Sequence, residues 1–204
     1  MDYEYVLLLE GKDDDSVFFH LLNHYQILEN LIKRKKKDGF SEIIKHLDVE
    51  LDASGLERLG IVVDADVDLS ARWQSLRNKL ITYGYTDVPN APRPEGTMIQ
   101  ESDRPVVGVW IMPNNVHSGM LEDFIRTLVP AGDLLWNRAE TCVNEIPEPE
   151  RRFSVASKAH IHTWLAWQEE PGTLMGAAIN KRYLNADALP AQQLMGWIRR
   201  LFDL

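Results

Sequence analysis

The chain has 204 residues, 45% of them hydrophobic and 26% charged, the composition of an ordinary globular protein with room for one generous domain, or one domain with an appended helical extension. Its single cysteine, Cys142, excludes an intramolecular disulfide framework and suggests a reducing compartment. The formal charge of −9 argues against a free-standing tight DNA binder, because sequence-independent affinity for DNA comes mainly from Lys and Arg neutralising phosphates.

Taken in chain order, Tyr3 to Leu9 is β-rich and nearly continuously apolar at its end, as a strand covered on both faces reads. It stops at Glu10-Gly11. Asp13 to Asp15 then place negative charge at the start of a predicted helix, Ser16 to Leu31, with Val17, Phe18, Leu21, Leu22 and Tyr25 at helical spacing. Five consecutive cations, Lys33 to Lys37, read as a solvated helix end or loop, with contact to a phosphate backbone as the functional alternative. Phe40 to Leu51 is a second predicted helix. Leu59 to Val63 is a short buried strand stopping at Asp64-Ala65-Asp66, and Ser70 has the look of an N-cap for a helix carrying Trp73, Leu76, Leu80 and Ile81 that Gly84 ends.

The segment Thr86 to Pro105 holds four of the ten prolines and reads as a long irregular connection, with a short strand at Thr97 to Gln100. Val106 to Met112 is a third strongly apolar strand. Met120 to Val129 is helical, with Glu122 and Asp123 in its first turn. From Asp133 onward the pattern is mainly helical and rich in tryptophan: Trp136, Trp164, Trp167 and Trp197. No apolar run reaches membrane-spanning length, and Asp2 and Glu4 stand where a secretory signal needs basic residues, so a soluble cytoplasmic protein without a membrane partner is expected.

Strands alternating with helices define an α/β domain with a mainly parallel sheet, whose functional groups gather beyond the carboxyl ends of the strands. Acidic residues fall at or soon after those ends: Glu10; Asp64 and Asp66; Glu122 and Asp123. Carboxylates crowded together repel and take up protons unless a cation neutralises them, and oxygen-only ligation suits Mg²⁺ or Mn²⁺. Asp64 and Asp66 are two residues apart, so on an extended segment their side chains share one side. Each signal alone also fits a turn and a helix cap; their combination and order are more specific.

Glu10-Gly11-Lys12-Asp13-Asp14 after one strand and Ile61-Val62-Val63-Asp64-Ala65-Asp66-Val67-Asp68 after a later one resemble the signature of the Toprim superfamily. The likeness is nearest to small stand-alone or ATPase-associated Toprim proteins and the OLD-type nucleases. It spans roughly the first 130 residues. It implies a compact Toprim-like α/β domain at 1–130, with a central mainly parallel sheet flanked by helices, and a mainly helical C-terminal extension at 131–204 packed on or next to it. It further implies a metal-dependent nuclease or nicking activity on DNA phosphodiesters, with two Mg²⁺ or Mn²⁺ ions. Glu10 would ligate metal or move a proton, and Asp14, Asp64, Asp66 and Glu122 would be metal ligands. Lys158 would be the downstream catalytic lysine, offsetting charge on the phosphate. Ser118 to Glu122 departs from the OLD-type pattern by one extra residue. The acidic net charge and the OLD-type likeness together suggest a partner ATPase, as in phage or plasmid defence.

Asp68 and Asp123 stand in reserve as ligands, Asp68 more naturally as a cap. His117, His160 and His162 lack the i, i+4 spacing of a zinc helix, and the C-terminal tryptophans are spaced as a core or interface. Gly172 to Gly176 lacks the lysine of a phosphate loop. Two competing readings stay open: a receiver-like domain phosphorylated at Asp64, and a catalytically silent Toprim interaction module.

Overall fold

The computed structural model describes residues 4–28 and 30–204; Asp2, Tyr3 and Glu29, which the sequence reading touches, lie outside them. Five strands form one sheet: β1 (Tyr5–Leu9), β2 (Lys33–Lys36), β3 (Arg58–Asp64), β4 (Thr97–Ile99) and β5 (Val106–Met112). Their order is β2-β1-β3-β5-β4, parallel throughout except that β4 runs antiparallel to β5. The helices are α1 (Lys12–His24), α2 (Phe40–Leu51), α3 (Leu69–Tyr83), α4 (Leu121–Arg126), α5 (Leu134–Asn144), α6 (Ala156–Ala166), α7 (Met175–Asn180) and α8 (Leu189–Phe202).

The pleat sorts side chains into two cores. Val6 and Leu8, with Leu59, Ile61 and Val63 and with Val107, Val109 and Ile111, pack under α2 and α3. Leu7 and Leu9, Val62, Trp110 and Met112 face the other way, into a core completed by α1 and by the helices from α4 to α8. This period of two over strands buried on both faces explains the unbroken apolar runs.

On that second face the strands carry Gly60 and Gly108, which are direct neighbours across β3 and β5. A β-carbon on Gly108 would lie 2.5 Å from Leu201 Cδ2, and one on Gly60 would lie 2.6 Å from Leu7 Cδ1 and 3.1 Å from Leu201 Cδ2. The paired glycines form a notch into which α8 lowers Leu201. Trp197, one turn earlier, packs tilted against Trp110 with ring centroids 5.7 Å apart. α7 crosses α1 equally closely, since a β-carbon on Gly176 would meet Ser16 backbone at 2.6 Å. The C-terminal helices thus cover one face of the sheet and share its core.

Three local expectations are corrected. Most of the basic run, Lys33–Lys36, is the edge strand β2: its backbone pairs with β1, and three cations of the run are paired in place, Arg34 Nε with Asp15 at 2.8 Å and Lys35 and Lys37 with Glu50 at 2.7 Å each. Charged side chains on a sheet edge also discourage pairing with another chain. The first helix is Lys12–His24 rather than Ser16 to Leu31, so Asp13, Asp14 and Asp15 occupy its first turn. Asp68, and not Ser70, caps α3, its carboxylate accepting from Ala71 N at 2.9 Å. Gly84 closes that helix with φ 112°, as read from the sequence.

Candidate functional site

The chain path makes one crevice. From β1 the connection through α1 leads to β2 on one side, and the chain then returns to place β3 on the other side of β1. Such a reversal opens the sheet's carboxyl edge between the two strands, where α/β proteins bind ligands. Glu10 follows β1, and Asp64 is the last residue of β3.

Glu10 bridges the crevice, its Oε2 accepting from Asp64 N at 3.0 Å. The Asp64 carboxylate in turn accepts from Leu121 N at 2.9 Å, at the start of α4. That contact brings in Glu122, the next residue, which is 4% exposed. Asp14, in the first turn of α1, is 6% exposed, and its Oδ1 is buried without a hydrogen-bond partner. Lys158 Nζ, on α6, lies 3.6 Å from Glu122 Oε1. Four carboxylates and a lysine from β1, α1, β3, α4 and α6 therefore meet at one sheet edge.

The electrostatics are those of crowded acids. Burial, then the negative charge of Glu10 and more weakly that of Glu122, push Asp14 up to about 6 against the opposing pull of backbone hydrogen bonds. Burial, followed by the charges of Asp14, Glu10 and Glu122, pushes Asp64 up to about 8, with the Leu121 hydrogen bond working against them. Desolvation and like charge both favour the protonated acid, so Asp14 and Asp64 keep their protons to higher pH than ordinary aspartates. Among the described residues, no three His, Cys, Asp or Glu side chains already stand in a metal-holding arrangement.

Asp66 goes elsewhere. Its backbone is left-handed, with φ 51°, which ends the strand alternation that would have kept it on one side with Asp64. Backbone hydrogen bonds to Gly119 in both directions, at 2.8 and 2.7 Å, fix that turn, and the Asp66 carboxylate pairs with Arg72 on α3. Sequence reasoning did not single out Arg72; the available signal was its place one turn beyond the Asp68 cap, facing back over the loop. Of the reserve acids, Asp68 caps α3 and Asp123 accepts from Met120 N at 2.9 Å, capping α4. Ser118 Oγ donates to Val67 O at 3.1 Å. The histidines His117 and His160 each pair with an asparagine, Asn114 and Asn144, at 3.0 Å. Beside Glu122 opens a hollow of about 340 Å³ lined by Asp123, Arg126, Trp136, Ser157 and His160.

Fold and site together define an α/β protein with a five-stranded, mostly parallel sheet flanked by helices and a cluster of acids at its switch point. The chain belongs to the family described as protein of unknown function DUF3226, whose model matches residues 4–203. No curated protein and no solved structure matches it.

Proposed function

We propose that this chain is a Mg²⁺- or Mn²⁺-dependent phosphodiesterase of Toprim type that nicks or cuts DNA in the cytoplasm, in concert with a partner ATPase. The observation that carries the reading is the buried, unpartnered Oδ1 of Asp14 among Glu10, Asp64 and Glu122. An unsatisfied buried carboxylate oxygen is costly, and a hard divalent cation is the partner that satisfies it while neutralising its neighbours. Glu10, Asp14, Asp64 and Glu122 fit such an ion by donor type. A divalent cation held by these carboxylates would supply activation of water and charge stabilisation for displacement at phosphorus.

The chain's own residues have distinct tasks in this scheme. Glu10, fixed by Asp64 N, orients the β1 side of the crevice and is placed to hold or move a proton. Asp64, positioned by Leu121 N, sets the β3 side. Lys158, about half exposed beside Glu122, offsets negative charge on the phosphate. A chain with net charge −9 gains little from phosphate attraction in bulk, which supports a partner that delivers the DNA.

Supercoiled plasmid incubated with the purified chain and Mg²⁺ or Mn²⁺, with and without a candidate partner ATPase, tests the reading. Nicked or linear product is expected, reduced by about two orders of magnitude or more in Glu10→Gln and Asp64→Asn. Intact plasmid under every condition, together with no Mn²⁺ binding by calorimetry, would overturn it in favour of a silent interaction module. Labelling of Asp64 by acetyl phosphate would favour the receiver-like reading instead.

A further inference from the structure

A hollow of about 910 Å³ opens between the second half of α1, α7 and the segment that follows α7. None of the four clustered acids lines it. The buried side chains of Ile179 and Leu184 give it apolar surface. Phe19 adds an aromatic wall, met edge-on by the His20 ring with centroids 4.9 Å apart and flanked by the Arg34 guanidinium 5.2 Å from its centre. Asn23 and Asn180 supply amides, and Asp187, the acid in the lining, is already paired with His24 Nε2 at 2.8 Å. Arg182 lies in the same lining just past α7, at φ 61°, the left-handed place that glycine usually fills at a helix end. Its backbone N donates to Ile179 O at 3.0 Å, a bond that glycine would make equally well. An arginine there incurs a steric cost, yet among the described residues its guanidinium has no hydrogen bond, ion pair or ring partner. The fold gains no contact from it.

We infer that this hollow binds a mononucleotide, with the phosphate on the Arg182 guanidinium and the base against the apolar and aromatic lining, its edge read by the Asn23 and Asn180 amides. The planar guanidinium fork matches phosphate oxygens, and a strained, unpaired arginine in a cavity is accounted for by a ligand that pairs with it. The volume lies within the range of small-molecule sites and exceeds what a bare phosphate needs. Apolar surface suits the faces of a base, while amides, which both donate and accept, suit its edge. The site does not depend on the metal-dependent reading above. It shares only α1 with the acid cluster, Phe19 and His20 lying further along the helix whose first turn holds Asp14.

The test is calorimetry on the full chain in EDTA, which keeps divalent cations out, with AMP, GMP, CMP and UMP in turn, their unphosphorylated nucleosides, and inorganic phosphate. At least one mononucleotide is expected to bind, and its nucleoside and inorganic phosphate should each bind about tenfold or more weakly. Arg182→Gln should weaken the mononucleotide by about 10–100-fold, the loss of a charge-assisted contact. Arg182→Gly should abolish the same contact and yet raise the thermal midpoint of the ligand-free chain by about 1–3 °C, because glycine relieves the left-handed backbone. That opposite movement separates a ligand contact from a structural role. No binding of any mononucleotide, undiminished binding by Arg182→Gln, or inorganic phosphate binding as tightly as the mononucleotide overturns the inference. A lowered midpoint in Arg182→Gly overturns it too, since Arg182 then serves the fold. None of these results bears on Mn²⁺ binding or plasmid cleavage, which test the metal-dependent reading separately.

Discussion

Two stretches of β3 show opposite uses of close approach. At Gly60 and Gly108 the sheet gives up side chains so that Leu201 of α8 can settle against it beside Trp197, and the contacts there are mainly apolar. A few residues further along, at Asp64, the same strand brings together acids that are buried and mutually repelling. One region stores stability and the other spends it, as expected where a binding site is built on a rigid scaffold. Substitutions in the two places should therefore shift stability in opposite directions.

The largest effect belongs to the packed side. Trp197→Ala removes a fully buried ring that touches Trp110 and covers Gly96. It should lower stability by about 3–5 kcal/mol in urea denaturation. Gly108→Val asks for the reverse, too much volume where even a β-carbon would lie 2.5 Å from Leu201 Cδ2. The loss should be about 1–3 kcal/mol, and Leu201→Ala in the same chain should return part of it, a non-additivity that direct contact requires.

On the acidic side, Asp64→Asn should raise the thermal midpoint of the metal-free protein by a few degrees at pH 8. The sign follows from proton binding. Asp64 holds its proton up to about 8 when folded, against 3.8 ordinarily, so between these values the folded chain binds more protons than the unfolded one. Stability from this group is present in full below pH 3.8 and is lost as pH rises toward 8. In EDTA the midpoint gap between Asp64→Asn and the parent should widen over that range and flatten above it; a constant gap would mean the acids are not crowded. The smallest effect is expected at neither region: Asp68→Ala, which removes the α3 cap, should cost about 1 kcal/mol.

The three central strands were legible because they are short and apolar, and β5 runs over the same residues, Val106–Met112, as the apolar stretch. The meeting of Glu10, Asp14, Asp64 and Glu122 follows from a parallel sheet that puts strand ends on one edge. Three features were hidden for physical reasons. Lys33 to Lys36 carries no apolar alternation, because β2 is an edge strand whose cations pair with Asp15 and Glu50, and such partners are visible only after folding. Asp66 leaves the row because of one left-handed residue, a backbone choice that Asp tolerates and spacing does not reveal. The glycine notch had no local signal either, since Gly60 and Gly108 are explained only by Leu201, far away in sequence.

That notch also bears on how the chain acquires its shape during synthesis. Until residue 201 has emerged from the ribosome, the trench over the central strands has no lid, and the nascent polypeptide displays Trp110 and its apolar neighbours to the surroundings. Final collapse therefore waits for α8, and a chain lacking α8 would be a sticky, chaperone-dependent product rather than a smaller working unit.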